Sequence, residues 1–285
     1  MIIRLITIWI FVAALPLAGC QILANRATSS LAENFSAAVL DQEDVLIVRD
    51  GGPAYLIAID GLVQGDPDNQ VLLLAAARLY AAYASAFVTE PDRLQRLTLR
   101  AKRYGERALC LRREAFCGAG RISFDDFERA LARTRAKDVD ALYGYGSAWA
   151  SWVQASASDW NAIADLPKVQ ALMERVVLLR PDHESGSAHL YLAILYTLRP
   201  ESMGGKPDRG RRHFESAIEL SDGRNLTAKV LFARQYARLV FDRELYERLL
   251  NEVVNTDPRA TGFTLSNVMA QEEALVLLAE ADEYF

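Results

Sequence analysis

The feature that most constrains the fold is a helical period that hardly stops. From Leu31 onward, apolar residues return at steps of three and four, the spacing that places them on one face of an α-helix. In residues 94–111 the stripe is Leu97, Ala101, Tyr104, Ala108 and Leu111. Residues 71–87, VLLLAAARLYAAYASAF, are apolar on every side, as in a helix enclosed by its neighbours. Residues 142–153 are a second such helix, rich in Ala and Gly. The period continues through 169–179, 188–198, 211–220, 228–240, 243–254 and 265–279. The only run with strand character is VLIV at 45–48, set between acidic residues and Arg49-Asp50-Gly51-Gly52. We assign it to helix or turn, and the expected fold class is all-α.

The turns share a chemistry. Gly65-Asp66-Pro67-Asp68-Asn69, Arg180-Pro181-Asp182 and Asn255-Thr256-Asp257-Pro258 join proline to capping residues, which is helix punctuation. Pro181 lies about 40 residues before the turn Ser221-Asp222-Gly223, and that turn about 36 before Pro258. Both intervals are just above the tetratricopeptide period of about 34. The pattern predicts a tetratricopeptide-like helix-turn-helix array, a degenerate α-solenoid, with 199–209 lengthening one unit.

The first residues follow another logic. Arg4 precedes an apolar run at 5–18, broken only by Thr7, that ends in Leu17-Ala18-Gly19-Cys20. This run is too short for a ~30 Å hydrocarbon core and has the form of a secretory signal peptide. Its end matches a bacterial lipobox, in which the cysteine thiol receives a diacylglycerol. The expected organisation is a signal peptide at 1–19, a lipidated tether at 20–30 and one helical domain at 31–285. The membrane is met only through the lipid on Cys20, and Gln21 after it favours the outer membrane over the inner. The expected location is thus the periplasm. A net charge of -5 argues against nucleic acid, which selects a basic surface.

Cys110 and Cys117 remain, an even pair in an oxidising compartment, where a disulfide is expected. On an unbroken helix they would be about 10.5 Å apart along the axis, beyond disulfide reach. The bridge therefore needs the helix to stop between them, and Gly118 and Gly120 mark a stop nearby. The alternative is two small buried thiols.

Several segments in this order resemble the T component (TatT) of tripartite ATP-independent periplasmic (TRAP) transporters. They include Val48-Arg49-Asp50-Gly51-Gly52-Pro53-Ala54-Tyr55-Leu56, Asp66-Pro67-Asp68-Asn69, Ala164-Asp165-Leu166-Pro167, Gly204-Gly205-Lys206-Pro207 and Thr264-Leu265-Ser266-Asn267-Val268. The resemblance implies a lipidated periplasmic protein that partners the solute-binding protein of a TRAP system. It also implies self-association into a small ring such as a trimer. It carries over no catalytic residues.

The chemistry-bearing groups are sparse. His183-Glu184 and His189 imitate a zinc motif, but the spacing leaves the histidines six apart instead of four, off a common helical face. No metal and no cofactor are expected, and the expected class is a binding protein and not an enzyme. The rival classes are a scaffold for envelope assembly and a hydrolase of envelope polymers. Two aromatic stripes stand out. Tyr80, Tyr83 and Phe87 share one helical face, and Tyr145, Trp149 and Trp152 share another, with Ala, Gly and Ser between them. They would line an apolar cavity between two helices, or else pack as core.

Overall fold

Asp44 starts the first long helix, α1 (Val45–Gly65), by accepting the Leu46 and Ile47 amides on its carboxylate. That satisfies two of the unpaired N–H groups at a helix start. The VLIV run is therefore helix, and α1 continues through Gly51, Gly52 and Pro53. Proline inside a helix leaves the carbonyl four residues earlier without its donor. Here that carbonyl belongs to Arg49, and the Tyr83 hydroxyl donates to it at 3.4 Å. Gly52 makes the approach possible, because a Cβ there would sit 2.4 Å from the Tyr83 ring. Gly52→Ala should cost about 1–3 kcal/mol through overpacking. A thermal melt checks this, and an unchanged Tm would contradict the contact.

The structure is a computed structural model that describes residues 37–285, and Leu40–Phe285 form the unit considered below. Cys20, its lipobox and the tether lie outside the described residues. The helices that follow are α2 (Gln70–Phe87), α3 (Pro91–Arg112), α4 (Phe124–Ala132), α5 (Val139–Ala155) and the short α6 (Trp160–Ile163). Next come α7 (Leu166–Leu179), α8 (Ser187–Thr197), α9 (Pro207–Leu220) and α10 (Leu226–Leu231). α10 runs directly into a π-helical turn, Phe232–Ala237. The chain closes with α11 (Arg243–Val254), α12 (Thr264–Ala279) and α13 (Ala281–Tyr284). The described residues contain no strand, so the fold is all-α.

Local sequence explains the helix starts. Asn69 caps α2, Ser123 caps α4, Asp242 caps α11, and Pro91 opens α3, all favoured start residues. Packing largely follows chain order: α1 on α2, α2 on α3, α7 on α5, α8 on α7 and α9 on α8. α5 is the central helix, since it meets α2, α3, α7 and α8. Its glycines are where neighbours come close. A Cβ on Gly144 would lie 2.6 Å from Leu74 Cδ2. Facing α5, a Cβ on Gly105 of α3 would lie 2.9 Å from the Tyr145 Cα. α2 is long and apolar enough to cross a membrane, yet it packs on α1, α3 and α5, and Leu73, Ala76, Ala77 and Ala84 are fully buried.

The end of α3 is tied in two ways. The helix stops at Arg112, a 3-10 turn at Glu114–Phe116 reverses the chain, and Cys110 bonds to Cys117 with Cα atoms 4.6 Å apart. Within that loop Arg112 and Arg113 both pair with Asp138, whose side chain is 1% exposed. The following loop is held by Lys168, whose ammonium donates to the carbonyls of Ala119, Gly120 and Ile122.

Candidate functional site

The two aromatic stripes do not face one another. Tyr80 and Tyr83 turn toward α1. The Tyr80 hydroxyl donates to Asp60 at 2.6 Å, and Tyr104 of α3 donates to the other oxygen of the same carboxylate at 2.6 Å. Arg100 adds an ion pair to Asp60 at 2.8 Å, so this carboxylate joins three helices. Burial, then the bond to Asp60, pushes the Tyr80 hydroxyl well above its ordinary pKa. Phe87 packs on Tyr83, with ring centroids 5.6 Å apart.

Tyr145, Trp149 and Trp152 turn instead toward α3, α4 and the start of α7. Tyr145 and Trp149 are fully buried. The Trp149 ring meets Tyr145 at 4.8 Å and Phe127 edge-on at 6.1 Å. Its indole N–H donates to Asp165 at 3.0 Å. The Lys102 ammonium lies 4.7 Å from the Trp149 ring and 3.8 Å from that of Trp152. Desolvation lowers the Lys102 pKa, and Asp165 opposes that shift. Of the two alternatives, these contacts fit core packing: the small residues of α5 bring helices together, and Tyr145 and Trp149 are enclosed between them.

An open cleft lies elsewhere, between α9, α10 with its π-helical turn, and α11, with a volume of about 360 Å³. That falls within the ordinary range for ligand pockets, about 300–1,000 Å³. Its floor is apolar, from Ile218, Phe232, Leu245 and Leu249. Its rim is charged and mostly paired. Arg211 meets Glu215 at 2.8 Å along α9, Lys229 meets Glu252 at 2.9 Å across from α10 to α11, and Arg248 shares Glu252 at 3.6 Å. Phe232 both lines the cleft and opens the π-helical turn. Such turns widen a helix locally and often occur at functional sites. Sequence reading missed this region. Its available signal was the i,i+4 pairing of Arg211 with Glu215 and of Arg248 with Glu252 on amphipathic helices.

Behind the α9 wall of the cleft, His213 turns inward to α8. Its Nδ1 lies 3.0 Å from His189 Nδ1. Tyr196 stacks on the His213 ring at 5.5 Å, and its hydroxyl donates to Glu174 at 2.7 Å. Burial first, then His189, push the His213 imidazole down to about 4 against the pull of Glu174. Burial also lowers His189. The nearest carboxylate to the third histidine, His183, is Asp140, 3.6 Å from its Nδ1. Among the described residues, no group of three or more His, Cys, Asp or Glu side chains could hold a metal.

The family of TRAP transporter T-components matches this chain over residues 41–285. An uncharacterized protein of Treponema pallidum (strain Nichols) is 25% identical over 274 residues, covering 88% of this chain and 84% of that protein. The family match takes in α1 through α13, with the cleft and both aromatic stripes inside it, and the chain belongs to the TRAP transporter T-component family.

Proposed function

We propose that this chain is a lipid-anchored periplasmic accessory subunit of a TRAP transporter that binds the system's solute-binding protein. The observation that carries this reading is the family match across residues 41–285. The Cys20 lipobox supports the anchor, and the chain-order packing of helices supports a degenerate tetratricopeptide-like array, an architecture that binds partners along extended surfaces. The cleft adds a place for contact. Its charged rim suits a protein surface or the polar end of a solute, and its apolar floor suits an apolar or amphipathic solute. Self-association into a small ring, as the family resemblance implies, belongs to the same proposal.

Affinity capture of the lipoprotein after crosslinking in intact cells tests it. The expected catch is a TRAP solute-binding protein. Arg248→Glu removes one cation from the rim while leaving an exposed position exposed. It should reduce recovery about tenfold, on the scale of a rim charge reversal. Recovery of envelope assembly components without any solute-binding protein would favour the scaffold alternative. Cys20→Ser should give unacylated precursor, and normally acylated protein from that variant would refute the anchor.

A further inference from the structure

We infer that the His189–His213 contact is a proton-sensitive latch that holds α9 against α8, and that mild acid loosens the α9 wall of the cleft.

The geometry allows one hydrogen bond between the two imidazoles, and only while at least one Nδ1 is unprotonated. His189 is 7% exposed and its Nε2 has no partner. A buried N–H without an acceptor is less tolerable than a bare acceptor. His189 therefore carries its proton on Nδ1 and donates to His213. A proton added at His213 Nδ1 makes both Nδ1 atoms donors and breaks the bond, and a further proton at the bare His189 Nε2 sets two cations on rings 5.0 Å apart.

The surrounding charges do little to absorb this. α7 supplies Glu174, whose carboxylate already accepts from Tyr196. α8 supplies Tyr196 itself, stacked on the ring. α9 supplies Arg209 and Arg212, which oppose a further positive charge. The α10 segment and its π-helical turn bring Lys229, engaged with Glu252, and Tyr236, whose hydroxyl lies by Arg211. His183 lies in the α7–α8 loop beside Asp140, and Arg180 and Glu184 act on it there. One carboxylate thus stands against two arginines around the latch.

The sign is set by the depressed imidazoles. Once α9 lifts off, both rings titrate near 6.5, so protons favour the open state below that pH. Each ring adds up to about tenfold to the opening equilibrium per pH unit. The gain for His213 ends near its closed-state value of about 4. Arg211, Glu215 and Ile218 stand on the cleft side of the same helix, within five residues of His213. Opening therefore displaces that wall. The latch itself does not depend on the proposed function. Only its consequence for a docked partner rests on that reading.

Hydrogen exchange of the full chain, without any partner and corrected for intrinsic rates, tests the latch. Between pH 7.5 and 5.5 the protection of α9 amides should fall about 10- to 100-fold, while α2 and α3 change far less. His213→Asn should shrink that fall by the His213 share, up to about tenfold, and His189→Asn serves if the first variant does not fold. A parallel fall in α2 and α9, an α9 change below about threefold, or an unaltered fall in the asparagine variants would overturn the inference. Failure to capture a solute-binding protein would instead count against the proposed function alone.

Discussion

Trp149→Ala is expected to lower the unfolding free energy by about 3–5 kcal/mol, the range for truncating a large buried aromatic. Trp149 is fully buried and packs against Tyr145 and Phe127. It also orients Asp165 through the indole N–H and receives the Lys102 ammonium on its face. Alanine leaves a void on a helix whose backbone already touches its neighbours, so collapse into the space is limited. It also leaves Asp165 with one donor fewer. Urea unfolding should show a lower midpoint with an unchanged slope. A loss below about 1 kcal/mol would mean that few atoms oppose the ring, and would restore the cavity reading of Tyr145, Trp149 and Trp152.

The second large effect is expected at Asp138. Its carboxylate accepts from Arg112 Nε at 2.9 Å, from the Arg113 guanidinium at 3.1 and 2.7 Å, and from the Arg135 amide at 2.9 Å. Removing it strands two arginines and a backbone N–H. Breaking a buried pair from one side costs about 3–5 kcal/mol. The arginine side chains are each about a third exposed and can recover some hydration. Asp138→Ala should therefore cost about 2–4 kcal/mol, and a loss under 0.5 kcal/mol would contradict the knot. Burial pushes the Asp138 carboxyl up, but Arg113, the Arg135 amide and Arg112 together hold it below the ordinary value of 3.8. A depressed carboxyl contributes its stability above pH ~4 and loses it as the pH falls through the folded value. Wild type should thus lose this contribution below pH 4, and Asp138→Asn should lack that part of the acid profile.

Periodicity made the helices legible, because each buries a face on its chain neighbours and that face repeats every three to four residues. It failed where distant residues settle local structure. The stretch at 45–48 reads as helix or turn from the sequence, and α1 runs on from it through Gly51-Gly52-Pro53, because Tyr83 closes on Gly52 and supplies the donor that Pro53 withholds from Arg49. Periodicity also shows which residues share a face without showing what that face meets. Tyr80 and Tyr83 meet α1, whereas Trp149 meets Phe127, Lys102 and Asp165. The cleft was the least legible feature, since its floor and rim come from three helices and a π-helical turn. The family resemblance was carried by ordered segments along the whole chain, which single motifs do not provide.

The most direct test of the account is a titration of the full chain, in detergent, with the purified solute-binding protein of its own TRAP system. A saturable complex is expected, which Arg248→Glu weakens about tenfold, or about 1.4 kcal/mol, while the variant keeps its helical content. No detectable complex at ~100 µM of two folded partners, a limit near 5.5 kcal/mol of binding, would contradict it.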